Sequence, residues 1–177
     1  MILPIKVYGD PVLRRKAAPV TMFDDALARL ATDMAETMYH APGIGLAAPQ
    51  VGVSLRFIVV DISHGDFKDR LYVMANPEVI ETATETDRCE EGCLSVPDFT
   101  ESVVRPRWAR IRGQDLQGNT YEVDAQDLLA RCFLHEIDHL DGVLFVDRIM
   151  SFRRRLARQR LKKHFGTVSL PDTKLAL

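Results

Sequence analysis

The sequence predicts an α+β fold in which short antiparallel or mixed strands surround a buried central helix, with a further helix near the C-terminus. Three observations support this prediction: a helical pattern comes first, several short strand patterns follow, and helical patterns return at the end. The chain has 177 residues, 46% hydrophobic and 27% charged. That composition suits a single domain, residues 1–177, with one sizeable core, and it excludes a mainly disordered chain.

The first predicted helix lies between Asp24 and His40. Asp24 is a suitable N-cap, and Pro42 followed by Gly43 ends the helix. Between these limits, apolar residues recur three or four positions apart, as one face of an amphipathic helix requires. They are Leu27, Leu30, Ala31, Met34 and Met38.

Short strand patterns fill the middle of the chain. Each is a run rich in apolar or β-branched residues, and a Gly118-Asn119 turn precedes the last of them. The succession of strands without helices between them argues against a parallel βαβ sheet. The patterns lie at residues 55–60, 71–74, around 79–80, around 93–96, 109–114 and 120–123.

The second helix is predicted to start after Asp124, with Asp127 completing an approximate capping pair. It runs to about Leu140, and Gly142 is placed to stop it. Its middle is apolar almost all round, which predicts burial. Two histidines and a glutamate inside such a helix are costly and therefore indicate a function.

A last helix is predicted at about 148–165, followed by a tail at 166–177. Residues 151–165 contain seven basic side chains and no acidic one, although the whole chain has a formal charge of −2. A basic patch on an otherwise acidic protein favours a polyanionic partner, and a solvated helix face is the simpler alternative. The helix is expected to dock through a narrow apolar stripe of Ile149, Phe152 and Leu156.

The strongest chemical signal is the segment 135–139, which reads His-Glu-Ile-Asp-His. Residues four apart are separated by roughly 1.1 helical turns, so His135 and His139 project from one face and can hold one metal ion. Glu136 lies about 100° round the helix from His135, near the metal without being bound to it. There it can handle a metal-bound water.

Two histidines leave a catalytic site incomplete, because such sites usually have three protein ligands. One class of zinc protease carries a third histidine where this chain has Phe145, and no glutamate follows Glu136. The third ligand is therefore expected upstream or at His164. Cys132 lies one turn before His135, but three ligands from one short helix segment rarely converge well. Cys89 and Cys93 therefore remain as the cysteines that could offer a thiolate to zinc or ferrous iron.

Three segments closely resemble the signature segments of the peptide deformylase family: residues 43–50, 91–95 and 135–139. The opening residues 9–14 and the Asn76-Pro77 pair are also similar to that family. The resemblance therefore covers nearly the whole chain, in the family's order and spacing. One difference is Leu134, where the family often has glutamine; this residue is not a metal ligand.

The resemblance implies the roles of the central residues. Glu136 would be the general acid and base, and Gln50 with the backbone N–H of Leu94 would stabilise an oxyanion. One divalent metal ion is expected, typically Fe²⁺, with Zn²⁺, Ni²⁺ or Co²⁺ as substitutes. The implied ligands are Cys93, His135 and His139.

The implied activity is removal of the N-formyl group from the N-terminal methionine of newly synthesised polypeptides. A metal-bound water would attack the formyl carbon while Glu136 transfers the proton. Glu91 and Arg105 are expected to form an ion pair beside the site, with two unrelated surface charges as the alternative. The methionine pocket is expected to contain Ile44, Gly45, Leu128, Cys132 and the His135 ring, bordered by Cys89 and Arg131.

The alternative functions are a general zinc endopeptidase with the His-Glu-x-x-His motif, and a non-catalytic module that binds the ribosome or RNA through the basic helix. The resemblance also points to ribosome docking through the C-terminal region. A nucleotide cofactor is not expected, because the glycines at 43 and 45 follow a helix and precede a strand, the reverse of a phosphate-binding turn.

The expected compartment is the cytoplasm, in a bacterial-type protein or a mature organellar form. No apolar stretch approaches the roughly 18 residues that span a bilayer, and residues 1–6 lack the pattern of a secretory signal. Three cysteines are too few, and odd in number, for a disulfide framework. A monomer that does not bind membranes is expected.

Overall fold

The computed structural model describes residues 1–66, 70–149 and 151–166, so positions 167–177 of the predicted tail lie outside it. Its helices are α1 (Asp25–His40), α2 (Asp127–Leu140) and α3 (Ser151–Phe165). In these ranges no helix is long and apolar enough to cross a membrane. The strands are β1 (Gly45–Ala47), β2 (Phe57–Val60), β3 (Tyr72–Thr82), β4 (Thr86–Cys93), β5 (Val96–Pro106), β6 (Trp108–Gln114) and β7 (Thr120–Gln126). The α+β class is confirmed.

Five strands form one antiparallel sheet in the order β1-β2-β3-β6-β7, and β4 and β5 form a separate hairpin. The patterns predicted at 71–74 and around 79–80 belong to one strand, β3, whose register shifts between Ala75 and Glu78. Asn76 in this irregularity has a φ of 50°. Its side-chain amide binds both backbone groups of Val20, which fixes the N-terminal segment to the sheet.

Strand β2 is buried on both faces, which explains its uninterrupted run of apolar residues. Ile58 and Val60 belong to the core shared with α2. Phe57 and Val59 belong to the core shared with α1. The two helices therefore cover opposite faces of the sheet, and α2 lies in the interior, as its composition predicts.

Helix α2 begins later than predicted. Asp124 belongs to β7, where Arg110 binds both of its carboxylate oxygens, so it cannot cap a helix. The strand continues to Gln126, whose side chain makes no capping hydrogen bond. The predicted stop is correct: the helix ends at Leu140, and Gly142 has the left-handed φ of 72° that favours glycine.

Helix α3 docks through residues other than the predicted stripe. Ala157 and Leu161 are its buried residues, whereas Phe152 is 80% exposed and Leu156 is 48% exposed. Ile149 is buried as predicted, but it lies before the helix starts. The docking face is therefore rotated away from the predicted stripe, because the β4–β5 hairpin and the segment before α3 provide the apolar surface.

We predict that Asp24→Ala lowers the free energy of unfolding by about 1 kcal/mol. The Asp24 carboxylate accepts hydrogen bonds from the N–H groups of Ala26 and Leu27, both at 3.0 Å, and alanine leaves those donors without it. Asp25→Ala is the matched control, with an expected loss of about 0.3 kcal/mol from the helix dipole alone. Equal losses in urea denaturation would contradict the capping role.

Candidate metal centre and active site

Three possible metal ligands meet where α2 faces the end of β4. His135 and His139 lie one turn apart on α2, and Cys93 is the last residue of β4. Their ligand atoms all lie within 4.8 Å of one another, and the Cys93 Sγ is 3.3 Å from the His139 Nε2. In the described part of the chain, this is the one such group of three or more possible ligands. Of the three cysteines, Cys93 is thus the one placed beside both histidines.

The donor set fits a divalent transition metal. One thiol and two imidazoles suit zinc or ferrous iron, and three protein ligands leave a position open for water or substrate. The Nδ1 atom of His139 is buried without a hydrogen-bond partner among the described residues. Burial and the neighbouring His135 lower the pKa of His139 well below its ordinary value, which favours the neutral, metal-binding form of the imidazole.

Glu136 is placed for proton transfer. It is buried and lines a cavity together with Cys93 and His135, and its Oε2 atom has no hydrogen-bond partner among the described residues. Burial raises the pKa of its carboxyl to about 7. An unpartnered carboxylate oxygen at this position can accept a proton from a reacting group and return it.

A glycine makes room for this carboxylate. A Cβ atom on Gly45 would lie 2.4 Å from the Glu136 Oε1 and 2.7 Å from the Cys132 Sγ. Both distances are too short for a carbon, so any side chain here would displace the glutamate or the cysteine. The thiol of Cys132 donates a hydrogen bond to the backbone carbonyl of Ile44, at 3.4 Å.

His135 is oriented by a buried ion network. Its Nδ1 lies 3.0 Å from the Glu91 Oε2, and Arg105 binds both oxygens of the same carboxylate, at 2.6 and 2.9 Å. The predicted ion pair between Glu91 and Arg105 is therefore present and buried. Burial alone would raise the pKa of Glu91, but hydrogen bonds from His135 and Arg105 hold it well below its usual range.

The amide of Gln50 has a fixed orientation beside Cys93. Its oxygen accepts the backbone N–H of Ala47 at 2.8 Å, and its nitrogen donates to the Ser95 hydroxyl at 3.2 Å and to the Cys93 Sγ at 3.5 Å. The N–H side therefore faces the ligands. Leu94, next to Cys93 in sequence, lines the same cavity.

A cavity of about 490 Å³ is lined by Gln50, Cys93, Leu94, His135 and Glu136, whereas His139 is not among its lining residues. Most of the pocket residues predicted from the sequence line it: Ile44, Gly45, Leu128, Arg131, Cys132 and His135. Cys89 is not among the lining residues. It is exposed on β4, and its thiol donates to the Asp87 carboxylate at 3.3 Å.

Sequence reasoning missed two groups of residues. Val96, Pro97 and Phe99 form a wall of the cavity because the β4–β5 hairpin folds beside α2. Asp138 anchors Arg105 at 2.9 Å and Arg148 at 2.6 Å. The one available signal was that Asp138 is an acidic residue within an apolar helix, which predicts a cationic partner without identifying it.

Comparisons with known proteins agree with this geometry. The family model described as polypeptide deformylase matches residues 2–155. A peptide deformylase of Acidobacterium capsulatum is 50% identical over 163 residues, covering 92% of this chain and 95% of the relative. One of Thermotoga neapolitana is 47% identical, covering 89% and 93%.

Solved structures give the same result. The peptide deformylase of Thermus thermophilus superposes with a TM-score of 0.87 at 42% identity, covering 94% of this chain and 98% of that one. The peptide deformylase of Synechococcus elongatus, solved in complex with actinonin, gives a TM-score of 0.85 at 41% identity, covering 93% and 88%. By sequence and by fold alike, this chain belongs to the peptide deformylase family.

Proposed function

We propose that Glu136 and the cluster of Cys93, His135 and His139 carry out the reaction of this family in this chain. That reaction is hydrolysis of the N-formyl group from the N-terminal methionine of newly synthesised polypeptides. The observation that supports the proposal best is the buried, unpartnered oxygen of Glu136, a residue that lines the same cavity as Cys93 and His135.

Cys93, His135 and His139 would hold one divalent metal ion. When bound, such an ion polarises a carbonyl oxygen and lowers the pKa of a coordinated water. We propose Fe²⁺ as the resident ion, because it is the ion that the family resemblance implies. A thiolate with two imidazoles also suits Zn²⁺, Ni²⁺ and Co²⁺, which we propose as substitutes.

Glu136 would move the proton that hydrolysis requires. Its free Oε2 takes a proton from the attacking water and later delivers it to the nitrogen of the leaving amine. The carboxylate lies close to the Gly45 backbone, and both residues line the cavity that would receive the substrate. Because no other hydrogen bond occupies this oxygen, proton transfer breaks no contact within the described part of the protein.

Gln50 and the backbone N–H of Leu94 would stabilise the oxyanion that forms on the formyl carbon. The Gln50 amide is suited to this because its oxygen is already bound by the Ala47 N–H, which turns its nitrogen toward Cys93. The nitrogen lies 3.5 Å from the Cys93 Sγ, so the N–H in this long contact is the donor available to the oxyanion. Donors that are oriented before the reaction stabilise developing charge without reorganisation.

The methionine side chain would occupy the apolar part of the cavity. We propose Ile44, Gly45, Leu128, Cys132 and the ring of His135 as its surroundings, all of which line the cavity. Cys89 is left out of this pocket because it is exposed on β4 and does not line the cavity.

We further propose that residues 1–177 form one catalytic domain, acting as a monomer in the cytoplasm, where nascent chains are made.

Glu136→Gln tests the proposed reaction. The amide keeps the size of the side chain but cannot accept the proton, so kcat on formyl-Met-Ala-Ser should fall by about 10²–10⁴-fold. Metal content should stay at the level of the unaltered protein, because a ligand is not removed. Glu122→Gln, an exposed substitution on β7, should change neither quantity. Near-normal turnover in Glu136→Gln would refute the assigned role.

The alternative function, a general endopeptidase with the His-Glu-x-x-His motif, is tested on the same protein samples. A deformylase cleaves formyl-Met-Ala-Ser and leaves the internal peptide bonds of casein intact. Release of casein fragments at a comparable rate would favour the endopeptidase.

The ligand set is tested by replacing each cysteine with serine. Cys93→Ser should lower metal content well below that of the unaltered protein and largely abolish activity, because a hydroxyl is a much poorer ligand than a thiolate. Cys89→Ser and Cys132→Ser are matched controls whose metal content should stay near normal. Elemental analysis of anaerobically purified protein gives the measurement, and full occupancy in Cys93→Ser would exclude it as a ligand.

We propose that the basic helix α3 contacts the ribosome. Arg155, Arg158 and Lys162 are exposed, and no carboxylate among the described residues forms an ion pair with them. Nascent chains emerge from a particle rich in RNA, whose phosphates these cations suit. Arg153 differs from them, because it is paired with Glu101 on β5 at 2.6 Å.

Truncation from residue 151 is a poor test of this contact, because Ala157 and Leu161 are buried in the core. We predict instead that changing Arg155, Arg158 and Lys162 together to glutamine weakens co-sedimentation with ribosomes at low salt. The kcat/KM on a free formyl-peptide should stay nearly unchanged. A control that changes Arg107, which directly precedes β6, together with Arg110 and Arg112 on β6 removes the same charge. Equal binding by both variants would refute the proposal.

A further inference from the structure

The side chain of Arg131 lies between α2 and the β4–β5 hairpin. Its Nη1 donates to the Glu91 Oε1 at 2.8 Å and to the Val103 carbonyl at 3.0 Å, and its Nη2 donates to the Asp87 carbonyl at 3.0 Å. Three of the five N–H groups of the guanidinium are thus bound to protein acceptors. The side chain borders the substrate cavity, yet most of its hydrogen bonds are directed into the protein.

Arg131 and His135 hold the same carboxylate from neighbouring turns of one helix. Residues four apart lie on one face of a helix. Here Arg131 binds the Oε1 of Glu91, and the His135 Nδ1 lies 3.0 Å from its Oε2. Arg105 binds both oxygens from β5. The carboxylate therefore cannot rotate without breaking a hydrogen bond to α2 and one to β5.

The two carbonyl groups bound by Arg131 belong to different strands. Asp87 lies in β4 and Val103 in β5, so the guanidinium spans the hairpin that also carries Cys93. The other two proposed ligands belong to α2. The relative position of hairpin and helix decides whether the three ligand atoms meet, and Arg131 joins the two directly.

We infer that Arg131 is a positioning residue for the metal centre: it fixes the β4–β5 hairpin against α2 and, through Glu91, orients His135. The inference rests on the proposed ligand set, and it assigns Arg131 a role other than contact with the methionine. Groups that orient metal ligands typically contribute about 10–100-fold to metal affinity. Because Arg105 still pairs with Glu91 when Arg131 is replaced, the buried carboxylate keeps a cation and the fold is expected to survive.

Titration of metal-free protein with Co²⁺ against a competing chelator tests the inference. Arg131→Met should bind Co²⁺ about 10–100-fold more weakly. The Co²⁺ affinity of Arg131→Lys should lie between those of Arg131→Met and the unaltered protein, since an ammonium keeps the charge but lacks the fork of donors of a guanidinium. The loss of Co²⁺ affinity should exceed any change in the KM for formyl-Met-Ala-Ser at saturating Co²⁺, because the hydrogen bonds of Arg131 are made to protein groups.

Two controls separate positioning from other effects. Arg110→Met removes an arginine paired with Asp124 on the surface and should leave Co²⁺ affinity unchanged. Asp24→Ala lowers stability far from the site and shows how much affinity is lost through stability alone. An affinity loss in Arg131→Met no larger than in these controls would overturn the inference.

The opposite kinetic pattern would also overturn it. Unchanged Co²⁺ affinity with a raised KM would make Arg131 a substrate-binding residue. If Arg131→Met does not fold, the same measurements on Arg131→Lys decide. Failure of the unaltered chain to hydrolyse formyl-Met-Ala-Ser would count against the proposed function only, because Co²⁺ affinity is measured without substrate.

Discussion

A carboxylate buried among cations is the constraint on which the rest of the structure depends. Glu91 is 6% exposed, and a charge removed from water costs several kcal/mol unless it is paired and hydrogen-bonded. Its donors come from both β5 and α2: Arg105 on the strand, and Arg131 and His135 on the helix. The hairpin and the helix can therefore pack stably only in the arrangement that brings these donors to one carboxylate, and this arrangement also brings Cys93 to the two histidines.

The ion network extends away from the proposed metal ligands as side chains of alternating positive and negative charge. Arg105 reaches Asp138, the residue before His139 on α2, and Asp138 is bound in turn by Arg148 just before α3. Each ion of this network thus has a partner of opposite sign. Charge thus holds Arg148 to α2, whereas Ala157 and Leu161 of α3 pack into an apolar cluster formed by the N-terminal segment, the β4–β5 hairpin and residues 144–149.

Apolar packing supplies the rigid frame for this polar interior. Strand β2 is covered by α1 on one face and α2 on the other, so the sheet and both helices share continuous cores. Strand β1 pairs with β2 and brings the Gly45 backbone against Glu136. The absence of a side chain at this one position leaves the volume that the carboxylate occupies.

The sequence by itself determined the features that depend on neighbours a few residues away. These include the cap of α1 at Asp24, the stop at Gly142 and the pairing of His135 with His139 on one helical face, because helix geometry is local. Residue patterns alone left Cys89, Cys93 and His164 open as the third ligand, and only family resemblance singled out Cys93. The tertiary structure decided which thiol meets the histidines, that Asp124 binds Arg110 and does not cap α2, and which face of α3 is buried. These outcomes depend on contacts between residues far apart in the chain, whose distances no local periodicity encodes.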